Sequence, residues 1–408
     1  MDPATQKVTS RSAEFIRPAN RPDSIGRSSM ALSTTTDKPF ANWIKSFKRR
    51  AERQGVRRSV LDAAFRSVTY DPDVIRRDRN QAEFTKTIWE YLDSAVSPTR
   101  IENGLAALGR HARVLQAIES RYQVDKEVVV AIWGLESAYG EYRGNKNIIR
   151  SLATLAFDGR RGAFFEEQLI AALQILQSGD TTARQLRGSW AGAMGHTQFI
   201  PTSFLAYAVD FNGDGARDVW SDDPTDSLAS TAAYLSRFGW QKNQPWGIEV
   251  QLPADFDYRL VQRRERKPIR RWAQLGIRDM EGRRVNGGGT GALLLPAGRK
   301  GAKFLIFGNF SAIEKYNAAD AYVLAVGHLS DRLKGKPPIR ADWPRGDRAL
   351  SVDERKELQR RLIRKGYNVG KVDGMIGSRT RAAVTAFQEA SGIPPDGYVS
   401  IGLLERLR

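Results

Sequence analysis

The sequence predicts a mainly α-helical chain of two folded modules, the first of which carries a small β insertion. Apolar residues recur at helical spacing over much of 40–240, whereas 246–310 contains short β-like runs between basic and glycine-rich turns. Helical spacing returns over 350–408, after a stretch that contains Pro337, Pro338 and Pro344. A chain of 408 residues is long enough for two or three domains with cores of their own.

Composition and charge narrow the range of functions. The hydrophobic fraction of 41%, together with 36 glycines, is ordinary for a globular protein. The chain has no cysteine and three histidines, which excludes thiol catalysis and disulfides and disfavours a site built on several histidines. Its 64 basic and 46 acidic residues give a net charge of +18, which favours a polyanionic partner such as nucleic acid, anionic membrane or acidic cell wall.

The first 118 residues divide into two parts. Residues 1–39 are rich in Ser, Thr, Arg and Pro without a sustained period, so we expect them to be disordered. From Phe40 to about Ile118, helical spacing in "FANWIKSF", "SVLDAAF" and "GLAALGRHARVLQAI" predicts a helical N-terminal part. The longest apolar run, Val128 to Leu135, is far shorter than the ~18 residues that cross a bilayer as a helix, so we expect no transmembrane segment.

The remaining elements follow in order. Residues 121–240 continue with helical signals, which "YGEYRGN" and "DFNGDGARD" interrupt. The runs "IEVQL", "GALLLP" and "KFLIF" predict the strands of the β insertion, and "NAADAYVLAVGHLSDRL" predicts another helix. Residues 334–349 are polar and rich in proline, which is typical of a stiff linker. Helical patterning then predicts a compact second module over 350–408.

Glu136 is the most informative residue, because it stands alone near the end of the apolar helical run in "VVVAIWGLESAYGEYRGN". A charge in such a place is costly without a partner or a purpose. If Glu136 is buried beside Ile132, Trp133 and Tyr139, desolvation would raise its pKa and let it act as a general acid at neutral pH. On this segment alone, a carboxylate held in a buried hydrogen bond at a helix end is the somewhat better explanation.

Two further segments offer polar groups suited to a sugar. "SWAGAMGHTQFIPTSF" combines small residues with Ser189 and Gln198, and "KYNAADAYVLAV" opens a helix with Tyr316 and Asn317. Taken singly, the first segment is equally compatible with tight helix packing, and Asn317 with a helix cap.

Together these segments resemble the soluble lytic transglycosylase and goose-type lysozyme superfamily. Its marks are a Glu-Ser pair, a Gly-x-x-Gln segment and a Tyr-Asn pair, which stand here in that order as Glu136-Ser137, Gly195 to Gln198 and Tyr316-Asn317. The stretches "QAEFTKTIWEYLDSAVSPTRI", "AGAMGHTQFIPTSF", "YAVDFNGDG" and "NFSAIEKYN" further resemble the lytic murein transglycosylase B family over roughly 40–333. The resemblance implies a lysozyme-like catalytic domain over 40–333.

The resemblance also implies an activity. Such an enzyme cleaves the β-1,4 bond between N-acetylmuramic acid and N-acetylglucosamine in peptidoglycan, and the muramic 6-hydroxyl replaces water, which leaves a 1,6-anhydromuramic end. Glu136 would protonate the leaving oxygen and then help to deprotonate the 6-hydroxyl. Ser189, Gln198, Tyr316 and Asn317 would hold the muramic sugar and its N-acetyl group. No cofactor would be required.

The supply of carboxylates is consistent with this reading. A usual glycosidase places two carboxyl groups ~5–9.5 Å apart around the bond, and only Glu136 can be nominated here. Glu141 would lie about 140° around an ideal helix from Glu136 and therefore on another face. The acetamido group of the substrate would stand in for the missing nucleophile.

The segment "DFNGDGARDVWSDD" resembles a calcium-binding loop in its first half. Asp210, Asn212, Asp214 and Asp218 occupy positions 1, 3, 5 and 9, but position 12, where a bidentate Glu is expected, is Ser221. The family has an EF-hand-like loop at this place, so Asp226 is the candidate for the last ligand of a weak, structural calcium site. The alternative is a loop held by local Asx-turn hydrogen bonds.

The C-terminal residues 350–408 resemble the three-helix peptidoglycan-binding domain that often accompanies wall hydrolases. Their basic helices, with turns at "DGMIG" and "PPDGYVS", would suit an anionic polymer. The expected partners are therefore peptidoglycan glycan strands, with other cell-wall enzymes as further candidates. Nucleic-acid binding, which the basic segment around Trp272 would also suit, is not expected.

The sequence is compatible with two alternative functions and gives conflicting signals about localisation. A muramidase that uses water would have nearly the same site residues, and a non-catalytic wall-binding scaffold would retain the binding module. The substrate implies the periplasm, yet the first residues lack the apolar run of a secretory signal. We therefore expect an export signal that a truncated or misplaced start has omitted.

Overall fold

Helices dominate the part of the chain that the computed structural model describes, which comprises residues 37–79, 86–263 and 265–408. Helix α1 begins at Asp37, three residues before the expected boundary at Phe40. The rest of the segment expected to be disordered, 1–36, lies outside the described residues, as do 81–85 at the start of one family-like stretch. In the described ranges, every helix is too short or too polar to span a membrane.

The N-terminal part is helical, as predicted. Its described residues, 37–79 and 86–122, form six helices: α1 (Asp37–Arg53), α2 (Arg58–Ala64), α3 (Pro72–Arg79), α4 (Ile88–Ala95), α5 (Pro98–Arg110) and α6 (Ala112–Tyr122). Side-chain caps fix two of the helix starts, because Thr87 forms a capping box with Glu90 and Ser97 accepts from the backbone N–H of Arg100. Of these helices, α5 and α6 pack against the next one, which carries Glu136.

Helix α7 (Lys126–Ser137) lies in the core of the first module. All residues from Val128 to Gly134 are buried, which explains why the sequence there is apolar on every face. Helices α5, α6, α11 and α14 pack against it. The following elements are β1 (Lys146–Asn147), α8 (Ile148–Asp158), α9 (Gly162–Ser178), β2 (Arg187–Gly188), α10 (Pro201–Tyr207) and α11 (Thr225–Arg237).

The β insertion is confirmed and has a hydrophobic core of its own around Trp272, Phe256 and Leu305. Its antiparallel sheet has the order β4-β6-β7-β3-β5. The elements are β3 (Gly247–Gln251), β4 (Lys267–Pro268), α12 (Ile269–Gln274), β5 (Arg278–Asp279), β6 (Thr290–Leu294) and β7 (Phe304–Ile306). The three strands predicted from the sequence correspond to β3, β6 and β7. Helices α13 (Gly308–Tyr316) and α14 (Asp320–Leu333) return the chain to the catalytic core.

The C-terminal module has three helices and a separate core, as predicted: α15 (Val352–Arg364), α16 (Ser378–Ala390) and α17 (Ile401–Leu407). Two buried glutamines fasten its Asp-Gly turns. The amide oxygen of Gln359 accepts from the backbone N–H groups of Asp373 and Gly374, and that of Gln388 accepts from Gly397. Tertiary hydrogen bonds therefore hold both turns in place.

The segment 334–349, predicted to be a linker, follows the end of α14 at Leu333, contains neither helix nor strand, and packs along the first module. Ile339, Ala341 and Trp343 pack against the catalytic core, and the carboxylate of Glu249 accepts from the backbone N–H groups of Arg340 (2.9 Å) and Ala341 (2.7 Å). The C-terminal module touches the same domain, since Asp396 accepts from the backbone N–H of Arg299 at 2.9 Å. The segment is polar in composition, but its few apolar residues attach it to the core.

Candidate active site

Glu136 lies one residue before the end of α7 and is only 7% exposed. The hydroxyl of Tyr322, on the first turn of α14, donates a hydrogen bond of 2.7 Å to its Oε1. Tyr322 is itself buried. The structure therefore gives the carboxylate the buried position that the sequence predicted, together with a hydroxyl partner that the sequence analysis did not identify.

The chain leaves α7 through an unusual turn. Ala138, Tyr139 and Gly140 all have positive φ, at 50°, 62° and 94°, which costs free energy for the two non-glycine residues. The hydroxyl of Ser137 accepts from the backbone N–H of Gly140 at 3.0 Å, and the hydroxyl of Tyr139 donates to the carbonyl of Arg100 at 2.6 Å. Tyr139 is therefore hydrogen-bonded to α5. Ile132 and Trp133, the expected neighbours of Glu136 on α7 itself, are buried.

Ser189 and Gln198, the first two predicted sugar ligands, lie in one tight hairpin-like segment. Backbone bridges join Gly188 to Met194 and Met194 to Phe199. The hydroxyl of Ser189 accepts from the backbone N–H of Ala193 at 3.0 Å. The side-chain amide of Gln198 donates to the carbonyls of Gly195 (2.8 Å) and Arg143 (3.1 Å), which ties this segment to the turn that follows α7.

Tyr316 and Asn317 end α13 and are both buried. The hydroxyl of Tyr316 donates to the backbone carbonyl of Thr197, so it braces the Gly-x-x-Gln segment. The side-chain oxygen of Asn317 accepts from the backbone N–H of Ala319 at 3.1 Å just before α14 begins. The fold thus connects the three sequence blocks by direct contacts, although they are separated by up to 186 residues.

His196, within the Gly-x-x-Gln segment, is a buried residue to which the sequence analysis gave no role. Its Nδ1 lies 3.1 Å from the indole Nε1 of Trp133, and its Nε2 lies 2.8 Å from the carbonyl oxygen of Ser221. Burial lowers the pKa of this imidazole, and the nearby Arg143 acts in the same direction. A histidine carries no distinctive spacing signal here, so only its three-dimensional contacts reveal it.

The calcium-like loop is held by its own backbone. Asp210 accepts from the N–H groups of Gly213 (2.7 Å) and Gly215 (2.9 Å), and Asp218 accepts from Trp220 and Ser221. The side-chain amide of Asn212 donates to the carboxylate of Asp214, and the backbone N–H of Asp214 donates to the side-chain oxygen of Asn212. These are the local hydrogen bonds of the Asx-turn alternative, and they leave further carboxylate and amide oxygens at the loop.

Asp226, the candidate last ligand, is 2% exposed at the base of the loop. Its Oδ1 accepts from Phe211 (2.9 Å) and Asn212 (3.4 Å), and its Oδ2 accepts from Asp218 (2.9 Å). Burial raises the pKa of this carboxyl, against the opposing effect of the three backbone hydrogen bonds. In this structure Asp226 therefore braces the loop with both of its oxygens.

Two other acidic features lie outside the catalytic constellation. Glu141 is exposed and interacts with Tyr142, in agreement with the expectation that it does not share a face with Glu136. Glu119, Asp125 and Glu127 bring three carboxylate oxygens within 4.8 Å of one another. Lysines accompany this group, since Lys334 lies 2.7 Å from Asp125 and Lys126 contacts both glutamates. We interpret it as an ion-pair cluster.

Comparisons with known proteins identify two families in the chain. The family described as "Transglycosylase SLT domain" matches residues 39–331, and the family described as "Putative peptidoglycan binding domain" matches residues 351–407. The chain is 30% identical to the membrane-bound lytic murein transglycosylase B of Escherichia coli K12 over 249 residues. This alignment covers 60% of the chain and 66% of that relative, just under two thirds of its length.

Solved structures give the same assignment. SltB3 from Pseudomonas aeruginosa, in complex with NAG-anhNAM-pentapeptide, is 50% identical with a TM-score of 0.88, and the match covers 90% of this chain and 99% of that one. Slt35 from Escherichia coli, in complex with calcium, is 27% identical with a TM-score of 0.61 over 72% of this chain and 93% of that one. The chain therefore belongs to the transglycosylase SLT domain family, as a lytic transglycosylase that also carries a peptidoglycan-binding domain.

Proposed function

We propose that this chain cleaves the β-1,4 bond between N-acetylmuramic acid and N-acetylglucosamine in peptidoglycan and forms 1,6-anhydromuramic ends, with Glu136 as its single acid/base. The observation that carries the proposal is a buried carboxylate at the end of α7, hydrogen-bonded to Tyr322 and connected with the other two family segments. The relative SltB3 has been solved with both NAG-NAM-pentapeptide and NAG-anhNAM-pentapeptide, a chemistry that suits this site.

Glu136 would act twice on one reaction path. In its protonated form it would give a proton to the glycosidic oxygen as the bond from C1 of the muramic sugar to that oxygen breaks. The carboxylate that results would accept a hydrogen bond from Tyr322 and then remove the proton from the muramic 6-hydroxyl. The 6-oxygen forms a bond to C1, and no water enters the product.

The other predicted residues would hold the muramic sugar. Ser189 accepts from a backbone N–H, and its hydroxyl, which donates to no other group among the described residues, would donate to a sugar oxygen. Among the described residues, Asn317 is hydrogen-bonded through its side-chain oxygen alone, so its amide N–H groups would serve the N-acetyl carbonyl. Gln198 and Tyr316 are engaged with backbone carbonyls and would shape the site around these two donors. The acetamido oxygen of the substrate would support positive charge at C1, since Glu141 lies on the surface.

The test is digestion of purified peptidoglycan by the wild type, by Glu136→Gln and by Glu141→Gln, followed by mass spectrometry of the released muropeptides. We expect products that are one water lighter than hydrolytic ones from the wild type and from Glu141→Gln, and none from Glu136→Gln. The second variant is a matched control, because it makes the same chemical change at an exposed glutamate five residues away.

The same measurement decides between the remaining candidates. Full-mass reducing ends would assign the protein as a muramidase that uses water in place of the 6-hydroxyl. Binding to sacculi without any product would leave a wall-binding scaffold. Activity that persists in Glu136→Gln would remove Glu136 from the acid/base role.

We also propose that the loop 210–226 binds a structural calcium ion weakly. Asp210, Asn212, Asp214 and Asp218 offer the oxygen ligands that calcium prefers, and Slt35 has been solved with calcium. The ion would neutralise these carboxylates and stiffen the loop, while Asp226 would brace it from below. Calorimetric titration of the wild type and of Asp210→Ala with calcium tests the proposal, and equal heats from the two proteins would contradict it.

The site of action that fits this substrate is the periplasm, with the C-terminal module on the same glycan network. Fractionation of cells that produce the full-length native protein tests the location. Recovery in the cytoplasm alone would contradict it. To test whether the module contributes affinity for peptidoglycan, the protein with and without residues 350–408 is compared in a sacculus pull-down. The activity of both forms is measured in parallel.

A further inference from the structure

We propose that His196 is a positioning residue for Glu136, which holds the strained turn after α7 and ties it to the loop 210–226. The inference rests on the proposed role of Glu136 as acid/base. His196 makes its contacts with the element that carries Glu136, with the turn behind it and with the loop. Each of these contacts involves a different part of the residue.

The first contact is with α7 itself. The indole N–H of Trp133, three residues before Glu136, points at His196 Nδ1 at 3.1 Å. An indole nitrogen can only donate, so Nδ1 must accept, and the neutral ring carries its proton on Nε2. The two rings also pack edge to face with centroids 5.7 Å apart. His196 therefore contacts α7 one turn before Glu136, at a residue that neighbours Glu136 on the helix surface.

The second contact is with the strained turn. The hydroxyl of Ser137 donates to the backbone carbonyl of His196 and also accepts from the N–H of Gly140. The imidazole lies directly against Gly140, where a Cβ atom would come within 2.6 Å of Nδ1. Ala138 and Tyr139 persist in left-handed conformations only because the surroundings impose them. His196 supplies part of that constraint.

The third contact is with the loop. Nε2 donates to the carbonyl oxygen of Ser221 at 2.8 Å. Arg143, which follows the strained turn, donates to the carbonyls of Trp220 and Ser221 and pairs with Asp222. The loop is thus attached to the catalytic turn at two neighbouring points. The ring of His196 contacts both the loop, at Ser221, and the catalytic turn, at Gly140.

The test compares substitutions that keep one contact at a time. Asn places its polar atoms near the position of Nδ1 and can still accept from Trp133, whereas Gln places them near Nε2 and can still donate to Ser221. Ala keeps neither contact. His328→Ala is the matched control, because His328 is also largely buried but lies beside the β insertion in a cavity lined by Trp246 and Asp331.

The assay measures kcat and KM on a soluble tetrasaccharide of alternating N-acetylglucosamine and N-acetylmuramic acid, at a temperature where circular dichroism shows every variant folded. We expect His196→Ala to lower kcat about 100-fold with KM within threefold of the wild type, since a misplacement of about 1 Å has such an effect on rate. His196→Asn should have a kcat at least tenfold higher than that of His196→Ala, because it keeps the contact with Trp133, which lies on the same helix as Glu136. His196→Gln should recover less of the lost kcat. His328→Ala should leave kcat within threefold.

The outcome separates this inference from the proposed function. If His196→Ala keeps a kcat within threefold of the wild type, or if the Asn variant is no faster than the Ala variant, the positioning role is wrong. An inactive Glu136→Gln protein measured alongside would then leave the acid/base assignment intact. An active Glu136→Gln protein would instead overturn the proposed function on which the inference rests.

Discussion

The site of Glu136 and the loop 210–226 are neighbours in space but are built in opposite ways. Glu136 receives its hydrogen bond from Tyr322, 186 residues later in the chain, and His196 contacts Trp133 across 63 residues. The side chains of Asp210 and Asp214 bond to groups two to five residues away and are largely at the surface. The first site depends on the tertiary fold, and the second forms its shape locally.

This difference teaches where a substitution should be felt. A change in the catalytic turn alters the position of a reacting group that distant elements hold, so it should affect the rate. A change on the outer side of the loop alters exposed groups and should have little effect on the rate. The inner side of the loop, at Asp226, lies between these cases because its carboxylate is buried.

The largest contrast is expected between two glycines of positive φ. Gly140→Ala, at φ 94°, places a Cβ 2.6 Å from His196 Nδ1 and should lower kcat about 100-fold because the catalytic turn must shift. Gly213→Ala, at φ 80° in the loop, meets no atom within 4 Å and should cost only about 1 kcal/mol of backbone strain. Steady-state kinetics and thermal unfolding of both variants measure the contrast, and equal loss of kcat would refute it.

A smaller effect is expected from Asp226→Asn, which places an amide group where a carboxylate oxygen now accepts from the backbone. A buried N–H group that loses its acceptor should lower the free energy of unfolding by about 2 kcal/mol. Asp214→Asn, on the exposed side of the same loop, should change it by less than about 0.5 kcal/mol. Denaturant titration of the two proteins gives the comparison, and similar values for both would show that burial does not matter there.

Tyr322→Phe should reduce kcat about tenfold, because a hydrogen bond from its hydroxyl to Glu136 is worth roughly 1.4 kcal/mol. The ring itself remains, so the packing of α14 on α7 should be nearly unchanged. Tyr142→Phe is the control, since Tyr142 is exposed and pairs with Glu141. Rates on the soluble tetrasaccharide check this prediction. An unchanged rate for Tyr322→Phe would mean that the bond has no catalytic role.

The smallest effect is expected from calcium. A weak site near saturation should raise the free energy of unfolding by about 1 kcal/mol, and a chelator should remove this gain. The gain should disappear in Asp210→Ala and persist in Asp222→Asn, whose carboxylate pairs with Arg143. Melting curves with calcium and with chelator provide the measurement. A calcium response of Asp210→Ala equal to that of the wild type would exclude the loop as the site.

Much of the fold was accessible from the sequence because local signals were strong. The apolar runs predicted α7 and strands β3, β6 and β7, and the Asp-Gly turns divided the C-terminal helices. The linker shows where such signals end. Its prolines and charges predicted a stiff linker, but they did not predict that Trp343 and Ile339 pack against the core of the first module or that Arg345 pairs with Asp93 at 2.7 Å. A few scattered apolar residues form no periodic pattern, so the sequence did not predict which residues they contact.

The sequence by itself determined the family, the helical architecture and the residues at which chemistry is expected, because fixed spacings and short motifs carry that information. Only the tertiary structure decided what surrounds Glu136. The hydroxyl of Tyr322, the ring of His196 and the strained turn from Ala138 to Gly140 come together through packing of α7 against α14 and against the Gly-x-x-Gln segment. The physical reason is that a hydrogen bond between residues far apart in the chain depends on where the whole core places them, and no local pattern records that placement.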